Sequence, residues 1–547
     1  MPVMSSHAPN DQSNVALRAV GSSRAVFFIA SALVYAGAIV SATLTLHPYF
    51  SQTWDVQTFI HAARTFFDDA APFDLYARSR AAQTWPYAYP PLYAFAAALA
   101  LLLGDLTRAL PDYAWARVPA ILADIGVALV LYRSVARQAN DETIARAAAL
   151  LWLFNPITFY DTAVQGHFES AWLVFVLLAY ASFEDARHVA LPALALALAV
   201  LFKQIAILFA IPMFVSWIVG WLHSWIVKSP RTSQSPNYQT IKLSNLLLAL
   251  TLFSLVVTIV CLPFLLHSDD FVFMNLTYVE NVPVQTASWL VALLGLTRAE
   301  PNALTSDFFF LRHTTIVTML AATLLAFIGA RRGWSVYLTA ALIAIAFFLT
   351  SKKVMGYYYV MLFPFLLAAL LPKRRFDLVT LALVATTYIA LAPYYAGWTN
   401  HAHWWVYAIL GTANSLFWVW LFAQLTDDRR PTTEIAVSGQ RSAVAISLGL
   451  FALAVAAAWL QPLVASTGSP IRAPIIAAGM ETNALIAFGA LLALIVVAWL
   501  GVRALTRETN ARALALALVF APLFFSVYTL TKESTAIFEI ALKWLGV

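Results

Sequence analysis

Residues 244–266 read SNLLLALTLFSLVVTIVCLPFLL, a run without one charged side chain. As a helix rising about 1.5 Å per residue it is long enough to cross the roughly 30 Å of hydrocarbon in a bilayer. Lys242 stands before it and Asp269-Asp270 after it, so both ends return to polar surroundings. Working outward, similar apolar stretches recur from Val26 to Leu530. Hydrophobic residues make up 61% of the 547 and charged residues 11%, against roughly 45–50% and 25% in soluble domains. One water-soluble core could not hide that much apolar surface, so the chain reads as an all-α polytopic membrane protein.

Charge writes the topology. The formal net charge is +6, but the basic residues fall in short clusters between apolar stretches: Arg133 with Arg137 and Arg146, Lys228 with Arg231 and Lys242, Arg331-Arg332, Lys373-Arg374-Arg375, Arg429-Arg430, and Arg503 with Arg507. That is the pattern of cytoplasmic loops, not of a nucleic-acid surface. The first span, about 25–46, follows Arg18 and Arg24 and is longer than the apolar core of a cleaved signal. The expectation is a retained span with a cytoplasmic tail at 1–24. Further spans are expected near 114–133, 147–160, 170–183, 190–202, 204–226, 244–266, 313–330, 334–350, 357–372, 376–394, 404–424, 442–460, 482–502 and 513–530, about fourteen to fifteen in all. The apolar stretch 88–104, which contains Pro90-Pro91, breaks the charge scheme if it crosses. It is expected to lie in the interface or dip in and return within a large outer loop, 47–113. Spans between 147 and 202 are short, as half-length helices around a binding site often are.

Charges at membrane depth are costly and point to function. Thr53-Trp54-Asp55-Val56 opens a segment with Val56, Phe59, Ile60, Ala63, Phe66 and Phe67 at helical spacing, an amphipathic surface helix. Asp55 suits an N-cap worth about 1 kcal/mol, and a capping carboxylate can also be a base. Downstream, WPYAYPPL at 85–92 sets Tyr89 among kinked, aromatic-rich backbone that also suits an interfacial belt. DTAVQGHFE at 161–169 brings Gln165, His167 and Glu169 to the end of a short span, although a lone histidine is commonly structural. Lys203-Gln204 interrupts two apolar runs, where snorkelling is the plain explanation. Ser351-Lys352-Lys353 precedes Tyr357, and two lysines on the outer side oppose the positive-inside tendency, which suits an anionic phosphate. Arg117 and Asp124 share a helix face but stand too far apart along the axis to pair, so separate packing partners are expected. His401 and His403 form only an H-x-H. The one cysteine, Cys261, leaves no intramolecular disulfide and no Cys-based metal site.

In their order, the acidic opening of the first outer-loop helix, the YPPL stretch, ARVPAILAD, GHF, and FKQ before IPMF resemble the GT-C superfamily over roughly residues 25–372. The sequence is most similar to the glucosyltransferases that use dolichyl phosphate glucose in N-glycan precursor assembly, and to their prokaryotic relatives. The resemblance implies a GT-C-like catalytic module at 25–372 and a variable membrane module at 373–547. It also implies a hexosyltransferase that inverts the sugar taken from a polyprenyl monophosphate donor and passes it to a lipid-linked, glycan or protein acceptor outside the cytoplasm. Asp55 then matches the catalytic base. Lys352, Lys353, Lys203, Gln204 and Tyr357 fall to the donor phosphate and lipid, and Gln165, His167, Glu169, Tyr89 and Trp54 to the sugar and acceptor pocket. Arg117 and Asp124 give support. The sequence departs from the pattern at Ser351-Lys352-Lys353, where the family usually carries a His-Glu-basic motif, and at Glu169, where eukaryotic members carry Gln. No cofactor is expected; a divalent ion, if used, would take Asp55 and Glu169. Membrane lipids are expected partners and nucleic acid is not. Two other readings stay open: a lipid or solute transporter, and a polysaccharide polymerase or ligase using a lipid diphosphate donor.

Overall fold

A computed structural model describes residues 11–427, apart from 47–53, 68–71, 83–85, 185–188, 227–241, 279–283, 285, 287, 298–308 and 392–403. The expected spans at 442–460, 482–502 and 513–530, and His401 and His403, lie outside the described residues. In chain order the elements are α1 (Asp11–Leu46), α2 (Trp54–Thr65), α3 (Leu75–Ala81), α4 (Leu92–Thr107), α5 (Asp112–Trp115), α6 (Val118–Ala139), α7 (Glu142–Leu153), α8 (Pro156–Phe159), α9 (Glu169–Glu184), α10 (Ala190–Phe202), α11 (Ile207–Ile226) and α12 (Leu243–His267). Further helices follow at Thr314–Arg332, Val336–Thr350, Leu362–Leu370, Phe376–Leu391 and Trp404–Thr426. No β-strand occurs among the described residues, and the protein is an all-α polytopic membrane protein. Among the described residues, four segments are long and apolar enough to cross a bilayer unaided: 112–139, 204–222, 243–267 and 314–332.

Local signals explain the helix ends. Asp141 accepts hydrogen bonds from the backbone of Thr143 and Ile144 and so caps α7. Ser335 caps the helix Val336–Thr350 through Leu338 N at 3.2 Å. Gly333, with φ +68°, closes the helix before it in the left-handed conformation that glycine adopts without strain. The stretch expected as one span, 147–160, is instead α7 and α8 joined at Phe154-Asn155, since Pro156 cannot continue the α7 ladder. In lipid there is no hydrophobic drive between helices, so close packing of small side chains holds them together. Alanines 193, 195, 197 and 199 of α10 are all buried.

The bundle has two unlike ends. At one, Arg24 meets Glu142 at 3.2 Å, Arg146 meets the same carboxylate at 3.1 Å, and Arg374 approaches Asp141 at 3.8 Å. Tyr337 reaches Ser134 at that end too. Among the described residues, Arg24, Arg146 and Arg374 thus gather at one end. At the other end α2 buries Val56, Phe59 and Ala63, three positions of its apolar stripe. Here α4 lies across the bundle. Tyr93 near its start donates to Ala116 O at 3.0 Å, and Gly104 near its finish backs onto the Trp115 ring. Both ends of α4 thus meet the start of the 112–139 segment.

Candidate functional site

Six segments distant in sequence meet at the end of the bundle opposite the Glu142 ion pairs. The centre is the turn that follows a π-helical stretch, Tyr160–Gln165. Such bulges often sit at functional sites because they re-aim the side chains after them. Gly166 ends the stretch with φ +65°, and a Cβ there would stand 2.3 Å from Val56 Cγ2. Only glycine satisfies both the backbone and the approach of α2. His167 N then donates to Asp161 O at 2.9 Å, which fixes the turn and directs the imidazole toward α2.

The buried His167 ring bridges two carboxylates. Its Nε2 lies 3.1 Å from Asp55 Oδ2 and its Nδ1 3.8 Å from Glu169 Oε1. Neither ring nitrogen completes a well-aligned hydrogen bond among the described residues. The ring stacks on Tyr357 at 3.6 Å between centroids and meets the edge of Phe59 at 5.7 Å. Asp55 sits inside the first turn of α2 rather than before it, so the cap expected there is not its job. The positive end of the helix dipole still favours its charge. About a quarter of its side chain remains open, 25%.

Behind the ring, Glu169 is fully buried. Its Oε2 accepts from Trp172 Nε1 at 2.7 Å, and its Oε1 pairs with the Lys203 ammonium. Lys203 occupies an extended break between α10 and the start of α11, which turns its side chain inward instead of letting it snorkel. Aromatic faces surround the ammonium: Tyr358 at 4.4 Å, Tyr89 at 5.2 Å, and Phe168 and Tyr357 at 5.5 Å. Gln204 donates to Ala88 O at 2.9 Å and so fastens the YPPL stretch to this break. Lys352 is fully buried. Lys353 is half-buried, with Tyr278 at 5.3 Å and no carboxylate within 4 Å among the described residues.

These environments set the charges. Burial opposes ionisation of Asp55, but His167, Lys353 and Lys203 outweigh it and hold the carboxyl below its usual range. Burial pushes His167 below its ordinary value, with Asp55 acting in the other direction, so the ring is neutral at physiological pH. Lys203 resists its own burial through Glu169 and is held above its ordinary value. Lys353, desolvated and close to Lys203, is lowered to about 8 despite the pull of Asp55.

Of the residues singled out in the sequence, Asp55, Tyr89, His167, Glu169, Lys203, Lys353 and Tyr357 come together here. Gln165 is half-buried at the end of the π-helical stretch, and Trp54 opens α2. Arg117 and Asp124 do not pair with each other, but, against the expectation of separate partners, they share Thr162. Arg117 donates to Thr162 O and Tyr113 O, at 3.1 and 2.7 Å, while Asp124 accepts from Tyr35 at 2.5 Å and Thr162 Oγ1 at 2.7 Å. Sequence reasoning gives no role to Tyr358 or Tyr278. The first stands in the Tyr357-Tyr358-Tyr359 run that follows the paired lysines; the second has no local signal. Among the described residues no group of three His, Cys, Asp or Glu side chains is placed to hold a metal ion.

The class that fold and site define is a helical membrane protein with a buried, charged, aromatic-walled site at one end of its bundle. Residues 85–294, less than half of the chain, match the family model described as GPI transamidase subunit PIG-U. No curated protein and no solved structure matches the chain. The match overturns the expectation of a polyprenyl-phosphate-sugar-dependent hexosyltransferase, because the family it names is a transamidase subunit and not a sugar transferase. The physical reason lies in what the short motifs do here. Gly166 makes a turn, Gln204 fastens a loop, and Glu169 neutralises Lys203, all of which are tasks of the scaffold, and one scaffold hosts different functions.

Proposed function

We propose that this chain is a lipid-binding membrane subunit that seats the phosphorylated glycan headgroup of a glycosylphosphatidylinositol at the site end of its bundle and presents it to a partner subunit. The family matched by residues 85–294 supplies the lipid class. The positive-inside tendency of the arginine clusters supports a cytoplasmic basic end and an extracytoplasmic site. The observation that carries the reading is Lys353, a half-buried cation with no carboxylate within 4 Å among the described residues, at the mouth of an aromatic site. Asp55 acts on it only from beyond 4 Å, and a phosphate offers it a directly contacting counter-charge. Asp55, ionised and partly open, accepts hydrogen bonds from sugar hydroxyls, while Tyr89, Tyr357 and Tyr278 supply ring faces and phenol groups. Few polar groups on an aromatic wall is the usual composition of such sites.

The test uses the full chain in lipid nanodiscs, titrated with a glycosylphosphatidylinositol and with phosphatidylinositol lacking the glycan. Preferential binding of the glycosylated lipid is expected, weakened roughly tenfold or more by Lys353→Met and by Asp55→Asn, as befits a lost charge-assisted hydrogen bond. Equal binding of the two lipids, or full affinity in both variants, would sink the reading.

A further inference from the structure

The geometry points to Arg117 as a positioning residue that sets the separation of the Asp55 carboxylate and the His167 ring, acting through Gly166. This inference rests on the site assigned above. Arg117 stands at the junction of α5 and α6, 2% exposed and without a carboxylate within 4 Å among the described residues. A buried guanidinium without a counter-charge is expensive. Its compensation here is two carbonyls, Tyr113 O of α5 at 2.7 Å and Thr162 O of the π-helical stretch at 3.1 Å. One planar fork therefore joins two chain segments that approach it from different directions.

Gly166 lies against the face of that fork. A Cβ built on it would stand 3.0 Å from Cζ and Nη2 of Arg117 and 2.3 Å from Val56 Cγ2. Val56 and Arg117 therefore close together over the bare face of Gly166, with no room for a side chain there. Val56 and Gly166 are the chain neighbours of Asp55 and His167. The packing of Val56 and Arg117 over this glycine therefore fixes the 3.1 Å contact between those two side chains. The same junction grips the turn a second time, since Tyr93 donates to Ala116 O at 3.0 Å and stacks on Phe168 at 3.7 Å. A lysine at 117 keeps the charge and loses the fork.

The experiment needs no lipid ligand. Full-length protein in nanodiscs, labelled at histidine, is titrated by NMR, with His167→Gln assigning the signal. The charged groups nearest the ring are Asp55, Glu169 and Lys203. Because the Asp55 charge raises the His167 titration point, Asp55→Asn lowers it when Arg117 is present. In an Arg117→Lys background the same Asp55→Asn change is expected to move it far less, because the carboxylate has already lost its place. An equal shift in both backgrounds would show that Arg117 only supports the fold, and the inference would be abandoned. Should Arg117→Lys not fold, Val56→Ala loosens the same contact from the α2 side and carries the comparison. Glycosylphosphatidylinositol binding should weaken roughly tenfold in Arg117→Lys. Failure of the wild-type chain to bind that lipid would remove the proposed function while leaving the titration result intact.

Discussion

At the basic end Arg24 reaches Glu142 with half of its side chain in the open, 52%, whereas at the site end Lys203 and Glu169 meet at 2% and 0% exposure. Both are ion pairs between opposite charges, yet the physics differs. The first pair stays hydrated and screened, and pairs of that kind contribute roughly 0–1 kcal/mol. The second has lost its water, and the desolvation cost rivals the attraction gained. A chain that keeps a buried pair where an apolar pair would pack as well is retaining it for something other than stability. Burial tells the two apart: exposed pairs such as Arg24–Glu142 and Arg64–Asp105 occur at both ends, while Lys203–Glu169 is enclosed at the site.

The largest way to break this contrast is to remove one partner of the buried pair. Glu169→Gln leaves the Lys203 ammonium enclosed by Tyr358, Tyr89, Tyr357 and Phe168 with no counter-charge, and the expected loss is about 3–5 kcal/mol. Thermal unfolding in nanodiscs measures it. The double change Lys203→Met with Glu169→Leu should recover most of that stability, since apolar pairs of similar volume substitute well. It should not recover lipid binding. A double variant as unstable as the single one would mean that the pair itself holds the fold. The pH dependence has a definite sign. Lys203 is held above its ordinary value, so its contribution is complete below roughly pH 10.4, the unfolded value, and fades as the pH climbs through the higher folded value.

A smaller effect sharpens the comparison at the mouth of the site. Lys353, lowered to about 8, is charged at neutral pH and loses its proton as the pH rises through that value. If it holds a phosphate, binding of the glycosylated lipid should be strong at pH 7 and decline above pH 8. Lys353→Arg keeps its charge throughout and should flatten the profile. A wild-type profile already flat between pH 7 and 9 would detach Lys353 from the ligand.

Much of this arrangement is legible in the amino-acid sequence alone. The apolar runs show where helices lie, and the acidic opening of α2, GHFE, KQ and SKK each stand out because a polar group at membrane depth needs a reason. What stays hidden is pairing. Glu169 and Lys203 are separated by 34 positions and meet only because α9 packs on α10. Nothing within either motif shows that one neutralises the other. The same blindness makes the motifs read as a sugar transferase, since residues occupied with each other look, in a sequence, as available as residues facing a substrate. Gly166 is visible as a glycine but not as the bare face over which Val56 and Arg117 close, because a close approach across the chain leaves no periodic mark. Tyr278 and Tyr358 are lost for a related reason: tyrosines in a membrane protein are expected at interfaces, and only their distance to a lysine distinguishes them.

The smallest expected effect lies at the basic end and probes the other half of the contrast. Glu142 there takes Arg24 at 3.2 Å, Arg146 at 3.1 Å and the Tyr132 hydroxyl at 2.5 Å, so by number of partners it equals Glu169. Its two arginines, however, are 52% and 31% exposed and can turn to water or lipid phosphate when the carboxylate is lost. Glu142→Gln should therefore lower stability by no more than about 1 kcal/mol. That shift is a fraction of the one in Glu169→Gln and should shrink further as salt is raised. Comparing the two melting curves at low and high salt tests the argument directly. If Glu142→Gln costs as much as Glu169→Gln and is indifferent to salt, burial is not what separates the ends, and the buried pair loses its claim to mark a site.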